Sequence, residues 1–310
     1  MENRRNIAVF GASGFIGGNI VRYFKHRPEY RVFSFSSSSA DLTKTRDLKI
    51  IFSKLKEAPK PTLIIAAAAF NKPPLTPRQV LRANRAIALN SAKLIARLKC
   101  AQVIFLSSID VYGHNGLTLP LSESSPTKPP DAYAASKLFS ERILTRACAT
   151  KKTPLVILRL PGVYGPGDKS GRIIPSIFKA LKTEGELTIA GNGKQCRDLL
   201  HVKDIARLAG RIISHPLSGT FNAVTGKSYS LNEIIRMAGK ITVKKLKIIY
   251  QRGGQKQYDI HFKPSLVMKH LRAFSFTPLP KGLRLAARAI LIKCPGQNSL
   301  DVDFKHYSDF

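Results

Sequence analysis

The sequence predicts an α/β fold, with a doubly wound parallel sheet and a smaller C-terminal lobe. Apolar runs typical of buried strands, at residues 7–10, 30–35 and 103–106, alternate with helical patterns along the first half of the chain. The first run ends in a glycine-rich turn that opens a helical pattern. Alternation of this kind places parallel strands in one sheet and helices on both of its faces.

Composition narrows the class of protein. The chain has 310 residues, of which 44% are hydrophobic, as expected for a globular protein with a substantial core. The longest apolar run, residues 63–70, fits one buried strand but not a membrane span, and residues 7–10 are too few for a signal peptide's apolar core. Cysteines stand far apart, at Cys100, Cys148, Cys196 and Cys294. We therefore expect no metal site and a reduced, cytoplasmic protein.

The net charge of +32 is the unusual property of the chain. Between residues 234 and 300 there are 14 basic residues and one acidic residue, Asp259. Such a surface attracts nucleotides, nucleic acid or anionic lipid. No basic and aromatic recognition motif accompanies the charge, so no dedicated nucleic-acid site is predicted. Two explanations stay open: a bias shared by the organism's proteins, and peripheral association with the anionic inner face of a membrane.

Residues 11–17 have three glycines at a spacing of three, between the first predicted strand and a helix through Phe24. Glycines let the backbone turn tightly and approach a pyrophosphate, and the helix N-terminus offers free N–H groups to its oxygens. The pattern predicts a Rossmann-type dinucleotide-binding domain. Its expected cofactor contacts are Gly11, Ser13, Gly14, Phe15, Ile16 and Gly17.

The second predicted strand, Tyr30–Phe35, ends in four serines at residues 36–39. An NAD-preferring site usually has Asp or Glu at this strand end, to bind the ribose 2′-hydroxyl. Ser36 and Ser37 could instead donate hydrogen bonds to a 2′-phosphate, with Arg31 or Lys44 nearby. We predict NAD or NADP as the cofactor, with NADP slightly favoured.

Three chemistry-bearing side chains come from two segments. The strand at residues 103–106 delivers Ser108 at its carboxyl end, and a helix beginning near Asp131 carries Tyr133 and Lys137 on one face. An ammonium group beside a phenol favours the phenolate, so we expect Lys137 to lower the Tyr133 pKa toward a value suited to acid/base catalysis. Ser108 could hold a substrate oxygen at the same point. These three residues are the predicted catalytic group.

A Tyr-x-x-x-Lys pair alone is also typical of a solvated helix face. In this order, after a glycine loop and a strand-end serine, it resembles the extended short-chain dehydrogenase/reductases of the NAD-dependent epimerase/dehydratase family. The resemblance runs from about residue 7 to 290. It implies an NAD(P)-binding domain at 1–165 plus about 200–235, and a substrate-binding lobe at about 166–199 and 236–310. A homodimer through the helices at 84–98 and 133–150 is also implied.

The resemblance places further cofactor contacts at Asp41, Leu42, Ala67, Ala68, Asn84, Tyr133, Lys137 and Pro161. Asp41 and Leu42 would follow a third strand and contact adenine. Residues 61–69 would form a fourth strand and its end, whose small residues let the cofactor lie close. Asn84 would open a helix that continues to about residue 98.

Substrate contacts are implied at Ser108, Asp110, Gly162, Arg197 and Arg252. Arg197 follows a Gly-x-Gly turn, and its planar guanidinium suits bidentate pairing with a diphosphate. A salt bridge to Asp198 or Asp204, or a solvated surface position, is the alternative for Arg197. Gly162 stands where many 4-epimerases carry Asn.

Taken together, the resemblance implies a nucleotide-sugar epimerase or a 4-keto-sugar reductase acting on a nucleotide-diphosphate sugar. A hydride would move at a sugar carbon, most often C4, while Tyr133 exchanges a proton. Sugar 4,6-dehydratases carry paired acids after the strand-end serine, and here only the second, Asp110, is present. The dehydratase reaction is therefore less favoured. A catalytically inactive member that binds nucleic acid or an anionic surface is the alternative from a different class.

Overall fold

Strands and helices alternate along the chain. The computed structural model describes residues 4–70, 74–113, 118–183, 185–251, 259–263, 266–271 and 274–291. Its strands are β1 (Arg5–Phe10), β2 (Tyr30–Phe35), β3 (Thr62–Ile65), β4 (Gln102–Ser108), β5 (Leu155–Leu160), β6 (Gly162–Tyr164), β7 (Glu186–Ala190), β8 (Cys196–His201), β9 (Gly219–Asn222), β10 (Ser228–Ser230) and β11 (Lys247–Gln251). Its helices are α1 (Phe15–Lys25), α2 (Leu48–Leu55), α3 (Pro77–Arg97), α4 (Ala132–Thr150), α5 (Ile173–Thr183), α6 (Val202–Ser214), α7 (Leu231–Thr242), α8 (Leu266–His270) and α9 (Leu279–Leu291).

Six strands form one parallel sheet in the order β2-β1-β3-β4-β5-β9. Side chains alternate between the faces of a strand, so Ile7 and Val9 pack with α1 and α6. Ala8 and Phe10 point the other way and pack with α2, α3 and α4. The doubly wound, Rossmann-type sheet predicted from the sequence is confirmed. Its strand order changes direction at β1, which opens a crevice at the carboxyl ends of β1 and β3.

Two details of the predicted order are wrong. The described chain has no strand between β2 and β3; turns, a short 3-10 helix at Thr45–Asp47 and α2 connect them instead. The strand predicted as the fourth is therefore the third. Asn84 lies inside α3 and does not open it. That helix begins at Pro77, because Thr76 and Gln79 form a capping box at its N-terminus.

A smaller lobe forms around a third apolar cluster. Its helices α5, α7 and α9 pack together and against β7, through side chains such as Phe178, Ile234 and Leu283. The predicted domain boundary near residue 235 falls inside α7, whose buried residues Ile234 and Ile235 belong to this cluster. The division of the chain into two domains otherwise stays a prediction.

Cys100, Cys148 and Cys196 are free thiols. Over the described ranges, no three His, Cys, Asp or Glu side chains lie close enough together to share a metal ion. In the same ranges, each helix is too short or too polar to cross a lipid bilayer.

A buried ionic network joins α4 to the central sheet. Glu141 accepts hydrogen bonds from Arg159 Nε at 3.1 Å and Nη2 at 2.7 Å, and from the Ser107 hydroxyl at 2.5 Å. Arg159 also donates to the Tyr112 hydroxyl at 2.9 Å, which donates to Asn222 Oδ1 at 2.7 Å. Glu141 and Arg159 are only 5% and 7% exposed. Each charge is therefore tolerated in the core only because the other is present.

We expect Glu141→Ala to lower the free energy of unfolding by about 3–5 kcal/mol, because it leaves the Arg159 guanidinium buried without its carboxylate. Urea denaturation followed by circular dichroism measures the change. Glu57→Ala removes an exposed carboxylate and is the control, with an expected change below about 0.5 kcal/mol. A loss of less than about 1 kcal/mol for Glu141→Ala would contradict the importance of the pair.

Candidate active site

The glycine loop lies in the crevice at the carboxyl ends of β1 and β3. Gly11 has a φ of +82°, and a Cβ on it would lie 2.7 Å from the backbone nitrogen of Ala67. A Cβ on Gly17 would overlap the carbonyl oxygen of Gly11. Larger residues at either position would force the loop, the strand end and α1 apart. Ala67 and Ala68, both half-buried, form the other wall of the crevice.

The N-terminus of α1 is open to an anion. Its capping residue is Gly14, which has no side chain to bond the first-turn N–H groups, and the first turn contains no acidic residue. The helix dipole therefore leaves partial positive charge at this end. Ser13 and Gly14 are exposed, and Phe15 and Ile16 are half-buried. The glycine loop and the uncapped N-terminus of α1 together fit the pyrophosphate of a dinucleotide.

The serine turn lies beside this loop. The backbone N–H groups of Gly11 and Ala12 both donate to the Phe35 carbonyl at 2.9 Å, so β2 ends next to the glycine loop. Ser36 follows directly, and its hydroxyl lies 2.8 Å from the Ser38 hydroxyl and 3.2 Å from the hydroxyl of Ser39. Ser37 is exposed. This turn therefore presents hydroxyl groups where an acidic residue would favour NAD.

Asp41 and Leu42 take part in local structure. The Asp41 carboxylate accepts hydrogen bonds from the Thr43 backbone N–H and hydroxyl, each at 2.8 Å. Leu42 is buried, and its carbonyl accepts a hydrogen bond from Asn90 Nδ2 at 2.8 Å. The adenine contact that the family resemblance implies for these two residues stays a prediction.

Asn84 connects the end of β3 to the helix that carries Tyr133. Its Oδ1 accepts a hydrogen bond from the Ala69 N–H at 2.7 Å, while its Nδ2 donates to the Ala69 carbonyl at 2.9 Å. The same Nδ2 donates to the Ser136 hydroxyl at 2.8 Å. Asn84 therefore positions the crevice wall against α4; its contact with a cofactor stays a prediction.

Ser108 and Tyr133 meet at the carboxyl end of β4. Asp131 caps the N-terminus of α4 by accepting a hydrogen bond from the Ala134 N–H at 2.8 Å, which fixes the first turn and Tyr133 within it. The Ser108 side chain lies close enough to Tyr133 to favour the charged form of the phenol and so to lower its pKa. The Ser108 hydroxyl also lies 2.9 Å from Asp110 Oδ2, to which it donates. Two predicted catalytic residues and one predicted substrate residue thus lie together at this strand end.

Lys137 lies one helical turn further along α4 and is only 5% exposed. Its Nζ donates to the Leu106 carbonyl at 2.7 Å and lies 5.8 Å from the centre of the Tyr133 ring. The two side chains share one face of the helix, as predicted. Lys137 is therefore held beside the phenol ring by the strand that delivers Ser108.

The acidity of the phenol differs from the sequence expectation. Burial raises the pKa of Tyr133 above its ordinary value, and the Asp110 charge raises it further, while Arg172 opposes them. Burial also lowers the pKa of Lys137 to about 8, and Glu141 opposes that shift. The predicted lowering of the Tyr133 pKa is wrong for the protein alone, because desolvation of the phenolate and the nearby Asp110 charge raise that pKa.

Two residues without a sequence signal lie near Tyr133. The Phe70 ring stacks on the Tyr133 ring with centroids 5.0 Å apart and planes 25° apart, although Phe70 is 43% exposed. Arg172, from the segment before α5, places its guanidinium carbon 5.5 Å from the Phe70 ring centre. Phe70 and Arg172 are about a hundred positions apart in sequence, so only the fold brings them together.

Arg197 lies on β8, apart from the catalytic helix. Its Nη1 donates to the Cys196 carbonyl at 2.9 Å. Asp198, one alternative partner, accepts hydrogen bonds from the Thr225 N–H and hydroxyl at 3.1 and 3.0 Å. Asp204, the other alternative partner, accepts a hydrogen bond from Arg207 Nη1 at 2.8 Å. Both carboxylates are therefore committed to other groups, and diphosphate binding by Arg197 stays a prediction.

The remaining predicted positions flank β5 and β6. Pro161 is buried between these strands, and Gly162 is half-buried. A Cβ on Gly162 would lie 2.9 Å from Leu199 Cδ2, so a larger side chain there would need Leu199 to move. Arg252 lies outside the described residues.

Solved structures with this fold include nucleotide-sugar enzymes. UDP-glucose 4-epimerase from Thermotoga maritima has a TM-score of 0.81 and 20% identity, with 91% of this chain and 97% of that chain covered. RMD from Pseudomonas aeruginosa, solved in complex with NADPH, has a TM-score of 0.81 and 21% identity, with 93% and 99% covered. At this identity, the likeness establishes the fold.

Sequence relatives point to the same class of enzyme. GDP-6-deoxy-D-talose 4-dehydrogenase from Aggregatibacter actinomycetemcomitans is 28% identical over 247 residues, 78% of this chain and 82% of the relative. A dTDP-4-dehydro-6-deoxy-D-allose reductase from a Streptomyces species is 26% identical over 261 residues, covering 75% and 80%. The model of the NAD dependent epimerase/dehydratase family matches residues 7–224, well over half of the sequence. The chain therefore belongs to the NAD dependent epimerase/dehydratase family.

Proposed function

We propose that the protein is an NAD(P)-dependent enzyme that acts on a nucleotide-diphosphate sugar, as an epimerase or a 4-keto-sugar reductase. The observation that carries this proposal is the meeting of Ser108, Tyr133 and Lys137 at the carboxyl end of β4. That strand adjoins β3, whose end forms one wall of the glycine-loop crevice. The names of the relatives, which include a 4-dehydrogenase and a keto-sugar reductase, support the same chemistry.

The residues of the crevice fit a nicotinamide dinucleotide. Gly11, Gly14 and Gly17 leave room for the pyrophosphate beside the N-terminus of α1. The serine turn would bind the adenosine ribose, and Lys137 the ribose next to the nicotinamide. When bound, the nicotinamide accepts or donates a hydride at a sugar carbon, for which C4 is proposed.

Tyr133 supplies the proton transfer in this proposal. Its raised pKa keeps the phenol protonated, the state needed to protonate a keto oxygen as that oxygen gains charge. Ser108 orients the same substrate oxygen, and Asp110 holds the Ser108 hydroxyl in place. The Lys137 ammonium stabilises the phenolate that remains after the proton has left.

An epimerase and a reductase share this proton transfer and differ in cofactor turnover. The serine turn supports NADPH and therefore a reductase, which would consume NADPH in proportion to product. Nicotinamide that stays bound through gel filtration would support an epimerase. A 4,6-dehydratase is less favoured, because Ile109 stands where that enzyme has the first of its paired acids.

A protein that binds an anionic partner without catalysis is the second candidate, and the net charge of +32 favours it. The presence of Ser108, Tyr133 and Lys137 together argues against it.

Tyr133→Phe is expected to lower turnover by about 10²- to 10⁴-fold, because it removes the hydroxyl that transfers the proton in this proposal. The measurement is NADPH oxidation with UDP-, GDP- and dTDP-linked 4-keto-6-deoxy sugars, and isomer formation with the corresponding hexoses. Tyr30→Phe, which changes a tyrosine on β2, serves as the control and should retain full turnover. Unchanged turnover in Tyr133→Phe, with cofactor still bound, would refute the assigned acid/base.

The pKa of Lys137 predicts a distinctive pH dependence of stability. The folded-state pKa of about 8 lies below the ordinary 10.5, so between these values the unfolded chain binds a proton that the folded chain has released. Stability contributed by this group therefore rises with pH across that window. Compared with Lys137→Met, the unchanged protein should gain on the order of 3 kcal/mol in unfolding free energy from about pH 8 to 10.5. Urea denaturation of both proteins measures the difference, and a difference that stays constant with pH would contradict the buried ammonium.

Ser36→Asp tests the proposed binding of a 2′-phosphate. We expect the Kd for NADPH to rise at least about tenfold, because a carboxylate repels the phosphate, whereas the Kd for NADH should stay unchanged or fall. Isothermal titration calorimetry measures both constants. Ser124→Asp, at an exposed serine elsewhere, is the matched control. A clear preference of the unchanged protein for NADH would contradict the NADP assignment.

A further inference from the structure

Much of the positive charge of this protein lies in the C-terminal part of the sequence. Residues 234–300 contain 14 basic residues and a single acidic one, Asp259, whose carboxylate accepts a hydrogen bond from the Cys196 N–H. Apart from Arg252, which is predicted as a substrate contact, these basic residues have no part in the functions proposed above. The distribution therefore calls for a separate physical explanation.

Two helices of the smaller lobe, α7 and α9, each have a buried apolar face and an exposed basic face. α7 and α9 pack together in the third apolar cluster through residues that include Ile235 and Ala287. On the solvent side, α7 exposes Arg236 and Lys240, one turn apart, and α9 exposes Arg284 and Arg288 at the same spacing.

An aliphatic side chain projects into solvent where α7 ends. Val243 is 93% exposed and has left-handed backbone angles, φ 54° and ψ 33°, which are unusual for a β-branched residue. The turn is held by the Lys244 N–H, which donates to the Gly239 carbonyl at 3.1 Å. Lys240 and Lys245 are exposed on either side of Val243 in the sequence. We call residues 240–245 the basic-apolar tip.

We propose that the basic-apolar tip docks the protein on a membrane surface that contains anionic lipid. Val243 would enter the boundary between headgroups and acyl chains, and Lys240 and Lys245 would meet the lipid phosphates. The basic faces of α7 and α9 would add longer-range attraction. Apolar side chains beside Lys and Arg are also combined in the amphipathic helices that lie at membrane interfaces.

Charge complementarity and the aliphatic tip together favour lipid over nucleic acid. Each basic residue near an anionic membrane strengthens binding by about fivefold, and burial of the Val243 side chain adds about tenfold. Single-stranded nucleic acid is bound mainly by basic grooves and by aromatic side chains on which bases stack. A single valine has no aromatic ring for stacking and no side-chain hydrogen-bonding group, so it would add nothing to the binding of nucleic acid.

The test is co-sedimentation of the full-length protein with vesicles of phosphatidylcholine, with and without phosphatidylglycerol. We expect binding only when phosphatidylglycerol is present, and we expect it to weaken as salt rises. Val243→Asn should weaken binding about tenfold, while Val243→Leu should retain or strengthen it. Asn and Leu are not β-branched, so both fit the left-handed backbone at position 243 at least as well as valine does.

Charge variants separate the tip from the general charge of the protein. Lys240→Glu with Lys245→Glu should weaken vesicle binding more than tenfold. Lys49→Glu with Lys93→Glu, at exposed positions on α2 and α3, makes the same change in net charge and should have a much smaller effect. Equal losses in the two pairs, or binding unaffected by Val243→Asn, would overturn the proposal. So would binding to single-stranded RNA that the Lys240/Lys245 pair weakens and Val243→Asn does not.

Discussion

The position of the proposed catalytic group, Ser108, Tyr133 and Lys137, depends on the ion pair between Glu141 and Arg159. This pair fixes the middle of α4 to β5, and the Ser107 hydroxyl ties the same carboxylate to β4. Lys137 and Tyr133 precede Glu141 by one and two helical turns, so all three lie on one face of the helix. A slide of α4 by one residue would rotate that face away from the sheet and separate Tyr133 from Ser108.

The same arrangement carries a conflict between stability and function. A buried ammonium group opposes folding, which is why the pKa of Lys137 falls to about 8. Glu141 partly offsets this effect, but Arg159 already neutralises much of its charge. An apolar residue at position 137 would remove the conflict, so the presence of lysine there favours a role in chemistry over one in packing. Phe70 adds to the burial by covering the Tyr133 ring.

Local patterns predicted the features that depend on local geometry. Each of these features depends on a short stretch of sequence: the glycine turn, the serine at the strand end, and the shared helix face of Tyr133 and Lys137. The alternation of strands and helices predicted the parallel sheet in the same way. The direction of the Tyr133 pKa could not be predicted, because it depends on burial beneath Phe70 and on the charges of Asp110 and Arg172. Those contacts exist only once distant segments have packed. By contrast, the start of α3 at Thr76 was readable from its capping-box residues.

Burial also changes how the net charge should be understood. Glu141, Asp198 and Asp204 are at most 5% exposed, and their carboxylates are bonded within the protein. These three charges contribute little to the field outside the molecule, whereas most lysines and arginines remain exposed. Lys137 and Arg159 are buried as well, so the outer surface is only slightly more positive than the sequence total suggests. Such a field would speed the encounter with a nucleotide-diphosphate sugar and, through the same attraction, hold the protein near anionic lipid, and rising salt would weaken both effects together. Salt dependence alone therefore cannot distinguish attraction of the sugar nucleotide from attraction to lipid. The Val243 side chain can distinguish them, because it is uncharged and would contribute to membrane binding but not to the encounter with a dissolved sugar nucleotide.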